Sequence, residues 1–208
     1  FPASLMADVF LARKCRNGLV KVLIGDITKT EADVMATAAN NRLAGREGVD
    51  SQIHQAAGEG LREACDEIAR ERRKENLQPC PVGTAVVTDA FDLNAGKLIH
   101  VVGPDCRRPN QDEGRRGLLK KAYDALFQEL QAMKKVSTIA TPPLSMDVFA
   151  YPHREGARMT MEIVLSWMDG PDSEGIDEFL IVTQEMNFIN NLRTIYRESE
   201  DQFAGSDI

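Results

Sequence analysis

The stretch Ala38-Ala39-Asn40-Asn41-Arg42-Leu43-Ala44-Gly45-Arg46-Glu47-Gly48-Val49-Asp50-Ser51-Gln52-Ile53-His54 packs an amide, two glycines, a carboxylate and an imidazole into a loop that opens a helix. Each residue type has a use there. Glycine lets backbone N–H groups approach a ligand closely, and a helix N-terminus adds positive potential for an anion. An amide at Asn40 and a carboxylate at Asp50 are suited to sugar hydroxyls or to a water. The loop follows the apolar segment Val34 to Ala36, which in turn follows Gly25-Asp26-Ile27-Thr28. The pattern is that of a strand, a glycine-containing loop and a helix start whose N-terminus suits an anion.

The bulk properties are compatible with that picture. A chain of 208 residues with 43% hydrophobic residues can bury one sizeable core. The reading is therefore one domain over 1–208, with flexible ends at about 1–7 and 198–208. The net charge of −7 repels a phosphate backbone, so nucleic acid is disfavoured as a partner, although a local pocket can remain positive. Cys15, Cys65, Cys80 and Cys106 have no CxxC spacing and no zinc-like histidine pattern. They read as reduced thiols, with no metal expected. No apolar run approaches a membrane span and no secretory leader is recognisable, so a cytoplasmic or nuclear-cytoplasmic location is expected.

Strand-like and helix-like segments alternate, which predicts an α/β layered fold. Val9 to Ala12 and Leu19 to Ile24 flank Asn17-Gly18, a hairpin signal. Asp50 to about Lys74 reads as helix, with a break expected at Gly58 or Gly60 and a face of Ile53, Ala57, Leu61, Ala64, Cys65 and Ile68. Thr84 to Thr88 and Leu98 to Val102 read as short strands, and Pro104 to Gln111 as a polar loop. Leu118, Leu119, Ala122, Leu126, Leu130 and Met133 recur at helical spacing. Thr138 to Thr141 is a further strand, and Pro152 opens a helix. Phe179 to Thr183 is the last strand before a helix striped by Phe188, Ile189, Leu192, Ile195 and Tyr196.

The order Gly25-Asp26-Ile27-Thr28, then Ala38-Ala39-Asn40, then Gly45 to Asp50 with Ile53-His54, resembles the macro domain, a module that recognises ADP-ribose. Leu98-Ile99-His100-Val101-Val102-Gly103-Pro104 also fits the family pattern. The resemblance spans nearly the whole chain. It implies a three-layer α/β/α fold with a mixed central sheet. By the same resemblance Asp26, with Ile27 beside it, accepts a hydrogen bond from the adenine amine; by local chemistry alone it is an N-cap for the next turn, helped by Thr28. Asn40 and Asp50 form the distal-ribose corner, where Asp50 would orient a water for attack, and Asp50 equally suits a helix N-cap. Gly48, Val49, Ser145, Val148, Phe149 and Tyr151 complete the implied ligand-binding set. His54 and His100 read as packed residues, and His153 as a surface helix start.

Several binding positions depart from the family pattern. In Leu144-Ser145-Met146-Asp147-Val148-Phe149-Ala150-Tyr151-Pro152, Asp147 and Ala150 stand where the family has glycines. A carboxylate within about 5 Å of a phosphate costs on the order of 1–3 kcal/mol at an effective dielectric near 20. Asp147 would also be strained if that position has a positive φ. Thr37 replaces the first Asn of the family's NAAN. Arg46 and Glu47 interrupt the glycine run, although a guanidinium facing the groove would bind a phosphate bidentately. Thr183 falls where many relatives carry an adenine-stacking ring.

Three readings follow from the resemblance and its departures. The first is recognition of ADP-ribose or mono-ADP-ribosylated protein, extending to its hydrolysis by Asn40 and Asp50 without metal or cofactor. The alternative is a degenerate macro domain that has lost the ligand and works as a protein-interaction or structural module. A third is a relative that acts on another nucleotide-derived ligand, because the Asp26 and Asp50 ends of the cleft persist.

Overall fold

The computed structural model describes residues 7–107 and 114–198. The expected polar loop is thus described only to Arg107, and the expected ends only at Ala7 and Glu198. The seven-stranded mixed sheet runs β1 (Asp8–Lys14), β2 (Leu19–Ile24), β7 (Glu178–Thr183), β6 (Thr138–Thr141), β3 (Val34–Ala38), β5 (Lys97–Val101), β4 (Ala85–Asp89) from edge to edge. The Asn17-Gly18 signal does close a hairpin: β1 and β2 are antiparallel, and the Cys15 N–H donates to the Gly18 carbonyl at 2.7 Å. β4 and β5 are also antiparallel. The interior pairs β2–β7, β7–β6, β6–β3 and β3–β5 are parallel.

The central strands are apolar on both faces, as a sheet covered twice requires. Val34, Ala36, Ile99, Val101, Phe179 and Ile181 point to one core; Met35, Leu98, Leu180 and Val182 point to the other. The first core is closed by α3 (Arg115–Ala132), α4 (His153–Met168) and α5 (Met186–Glu198), and the second by α1 (Gly48–Ala57) and α2 (Glu59–Lys74). This is the expected three-layer α/β/α arrangement. Under the first face Phe127 and Trp167 stack with ring centroids 4.3 Å apart.

The long helix breaks at Gly58, which adopts φ +83 and serves as C-cap of α1 and N-cap of α2. Pro152 is the N-cap of α4, so that helix opens where expected. One member of the predicted α3 stripe departs: Leu118 is exposed, while Leu119, Ala122, Leu126 and Leu130 are buried. Tyr123 on α3 fixes the loop after β6. Its hydroxyl lies 3.0 Å from Thr160 Oγ1 and accepts from the Leu144 N–H at 3.2 Å.

Because β2, β7, β6, β3 and β5 are parallel, their C-terminal ends share one edge of the molecule. Gly25-Asp26 leaves β2, Asn40 follows β3, Pro142 to Phe149 follows β6, and Gln184-Glu185 follows β7. A parallel sheet leaves its ligand crevice there.

Candidate active site in the cleft above the parallel strands

Two cavities lie along that edge. One is lined by Gly25, Asp26, Ile27, Gln52, Pro142, Pro143, Met146, Val182, Thr183, Gln184 and Glu185. The other is lined by Ala38, Asn40, Glu47, Asp50, Ser145, Val148 and Phe149. Val49 and Asp147 belong to both.

At the first end, the N-cap reading of Asp26 holds. Its Oδ1 caps the short turn Ile27–Lys29, accepting from the Thr28 N–H at 2.9 Å and from Thr28 Oγ1 at 2.7 Å. The carboxylate is only partly buried and borders the cavity. Thr183 also borders it, but its hydroxyl is committed to the Glu185 N–H at 2.9 Å. Pro142, Pro143, Met146 and Val182 give this end an apolar wall suited to a planar ring.

At the second end, Asn40 organises its own loop. Its Oδ1 accepts from the N–H groups of Arg42 and Ala44, at 3.0 and 3.1 Å, so the amide N–H groups are what it can offer a ligand. Asp50 is not the helix N-cap. The helix starts at Gly48 after Glu47, which places Asp50 in the first turn with only 4% of its surface exposed. Burial pushes its pKa up to about 6, against the opposing pull of hydrogen bonds from Thr37 and the Gly45 N–H. Thr37 Oγ1 donates to Asp50 Oδ1 at 2.6 Å. The residue read as a lost asparagine is therefore the hydroxyl that orients the buried carboxylate. Nothing in the linear pattern pointed to it.

Beneath Asp50 lies a buried neutral layer. His54 Nε2 is 3.7 Å from Asp50 Oδ1, too far for a hydrogen bond, and burial together with the Arg62 charge lowers the ring's pKa. His100, held down to about 3 by burial and by His54, has its Nε2 3.1 Å from Thr88 Oγ1. Cys65, raised to about 12 chiefly by burial, brings Sγ to 3.9 Å from the same nitrogen. The His54, Cys65 and His100 ligand atoms lie within 4.8 Å of one another, a grouping that the cysteine spacing did not reveal. The two histidines behave as the packed residues expected of them. His153 does begin α4, half-buried.

Between the ends, the Val49 N–H donates to Asp147 Oδ2 at 3.0 Å. The carboxylate lies against Gly48, whose φ is +55; a Cβ there would overlap Asp147 Oδ2 and Val148 Cγ2. The positive-φ strain expected at Asp147 falls elsewhere in the loop, on Ser145 (φ 62) and Ala150 (φ 49). The two loop glycine positions are thus filled in different ways. Asp147 turns its charge inward, and Ala150 carries the strained backbone.

Other members of the expected binding set separate. Ile27 is buried but borders the first cavity, and Ser145, Val148 and Phe149 border the second. Ser145 Oγ is buried and has no hydrogen-bond partner among the described residues. Tyr151 lies apart from these residues. It is wholly buried in the core, borders neither cavity, and donates to Met159 Sδ at 3.4 Å. Arg46 is exposed and lines an outer groove beyond Asn40, away from the centre of the cleft. Glu47 pairs with Arg107 at 3.3 Å, and that guanidinium sits 5.3 Å from the Phe149 ring centroid. The second cavity therefore has a charged, aromatic rim.

Residues 36–160 match the family model of the macro domain. The chain belongs to the macro domain family. A macro domain-containing protein of Listeria monocytogenes is 36% identical over 163 residues, which are 78% of this chain and 88% of the relative. An O-acetyl-ADP-ribose deacetylase of Cronobacter sakazakii is 36% identical over 189 residues, 90% of this macro domain and 99% of that protein. The solved Oceanobacillus iheyensis macrodomain with ADP superposes with a TM-score of 0.77 at 28% identity, covering 90% of this chain and 97% of that one. The matched span of this macro domain includes Asn40, Asp50 and Asp147. The Asp26 turn precedes it.

Proposed function

We propose that this macro domain binds ADP-ribose along the cleft and hydrolyses an acyl ester on its distal ribose. The observation that carries the reading is Asp50, a buried carboxylate with its pKa raised to about 6, held by Thr37 beside the Asn40 amide. The relatives named as O-acetyl-ADP-ribose deacetylases and the relative solved with ADP support the ligand class. Adenine lies against the Pro142, Pro143 and Met146 wall and donates its amine hydrogen to Asp26. The distal ribose reaches Asn40 and Asp50.

At neutral pH Asp50 is ionised and close enough in basicity to accept a proton from water. As the water oxygen bonds to the acyl carbon, its proton passes to Asp50. When the ester C–O bond breaks, that proton goes to the departing ribose oxygen, leaving a free carboxylic acid, a restored hydroxyl and an ionised Asp50. The Asn40 N–H groups hold the ribose while this happens.

Calorimetry with ADP-ribose on the wild type and on Asp26→Ala tests the binding step. A micromolar dissociation constant, about −8 kcal/mol, that the substitution abolishes supports it; loss of ester hydrolysis in Asp50→Ala with binding retained supports the chemistry. Silence up to millimolar ADP-ribose overturns both and leaves a macro fold working as a protein-interaction module.

A further inference from the structure

Among the described residues lining the two cavities there is no lysine, arginine or histidine, whereas Asp26, Glu47, Asp50, Asp147 and Glu185 are all present. A phosphate entering the centre of this cleft therefore depends on backbone N–H groups at the start of α1. One of these is already taken. The Val49 N–H donates to Asp147 Oδ2 at 3.0 Å, a bond across 98 residues of sequence, and the carboxylate occupies the space that the missing Gly48 side chain leaves.

That side chain also lies where the two cavities meet. The two cavities share only Val49 and Asp147. A ligand long enough to reach both Asp26 and Asp50 must pass between them. The loop backbone is fastened behind Asp147, since the Ala150 N–H donates to the Asp147 carbonyl at 3.1 Å and the Tyr151 N–H to the Ser145 carbonyl at 3.0 Å. These bonds hold the loop backbone without involving the Asp147 carboxylate.

We propose that Asp147 is an internal competitor for the diphosphate and thereby sets the ligand specificity of the cleft; this rests on the ADP-ribose reading above. Its carboxylate stands in the anion position at the start of α1. A diphosphate ligand enters by exchanging its own oxygens for Asp147 Oδ2 at the Val49 N–H. The exchange costs affinity in proportion to the charge at the ligand's centre, so the cleft discriminates against pyrophosphate-bridged ligands relative to uncharged ones. Adenosine, which has no anionic bridge, fills the Asp26 end without displacing anything.

The test is calorimetric titration of the full chain and its Asp147→Asn and Asp147→Ala variants with adenosine, ADP and ADP-ribose, thermal melts confirming that each variant is folded. Removal of the charge is expected to tighten ADP and ADP-ribose by about tenfold or more in both variants while adenosine changes less than about twofold. ADP-ribose affinity equal in all three proteins overturns the competition and leaves the ADP-ribose reading standing. An equal gain for adenosine, or a gain confined to Asp147→Ala, also overturns it, because Asp147 would then be a steric wall rather than a competing charge. If ADP-ribose binds to none of the folded proteins, the underlying ligand reading fails as well.

Discussion

The Thr37 hydroxyl donates to Asp50 Oδ1 across 2.6 Å, joining the end of β3 to the first turn of α1. This one bond both aims the carboxylate and restrains the rise of its pKa, since it favours the charged form that burial opposes. Thr37→Val removes the donor at nearly constant volume. A hydrogen bond to a charged group contributes about 1.5–3 kcal/mol, so the Asp50 pKa should climb by roughly one unit or more. Ester hydrolysis needs the ionised form, so the acid limb of its pH–rate profile should move toward alkaline pH by that amount. An unmoved limb in an active variant would show that the hydroxyl does not tune the base.

The same carboxylate should leave a mark on stability. Its folded pKa is about 6 against an ordinary value of 3.8, so the folded state binds this proton more tightly than the unfolded chain does. The associated stability is fully present below about pH 4 and is lost as pH rises toward 6, amounting to at most about 3 kcal/mol. Asp50→Asn, which has no such proton, should therefore gain on the wild type as pH goes from 4 to 7. Parallel denaturant melts across that range would detect it, and parallel stability curves would refute it.

Gly48 is constrained twice, by its φ of +55 and by the Asp147 carboxylate over its Cα. Gly48→Ala should cost about 1–3 kcal/mol, part of it αL strain and part the overlap. Adding Asp147→Ala removes only the carboxylate's part of the overlap and leaves Val148 Cγ2 and the φ strain in place. Partial recovery in the double variant is expected in a double-mutant cycle, and strict additivity would mean that the two residues do not press on each other.

Ala150 adopts φ 49 on the exposed side of the loop. Ala150→Gly relieves that strain and loses some chain-entropy advantage, for a net gain of about 0.5–1 kcal/mol. A rise in Tm of a few degrees would agree, and a fall would mean that the turn tolerates alanine without strain.

Tyr151 should separate packing from binding. Tyr151→Phe is expected to leave ADP-ribose affinity within about twofold, because the ring borders neither cavity. Tyr151→Ala, by contrast, should cost about 3–5 kcal/mol of stability, as large-to-small core changes do. A large affinity loss in the Phe variant would restore the residue to the binding site.

What the linear pattern revealed follows a simple physical division. Elements set by local chemistry were legible: Asn17-Gly18 closes the β1–β2 turn, Gly58 splits the helix, and Pro152 starts α4. The period of the apolar residues placed Ile53, Leu61 and Phe188 inside. Leu118 kept the helical period yet lies outside, because period alone does not say where the stripe's edge falls. Contacts between distant segments were not legible. Thr37 reads as a lost amide until β3 brings it to Asp50, 13 residues on. Asp147 reads as a charge of unknown direction until its loop folds over α1, and Tyr151 matched a binding motif while serving the core. The His54, Cys65 and His100 group has no sequence spacing to announce it, because two helices and a strand assemble it.

The stacking of Phe127 on Trp167 supplies an optical handle. Trp167 is the sole tryptophan of the chain, and it sits on α4 among the helices of the first core rather than in the lining of either cavity. Intrinsic fluorescence on this protein therefore reports the integrity of that helical layer and not the arrival of a ligand. Ligand-free and ligand-saturated melts can be compared on one signal, and the shift between them converts directly into an affinity through RT ln(1 + [L]/Kd).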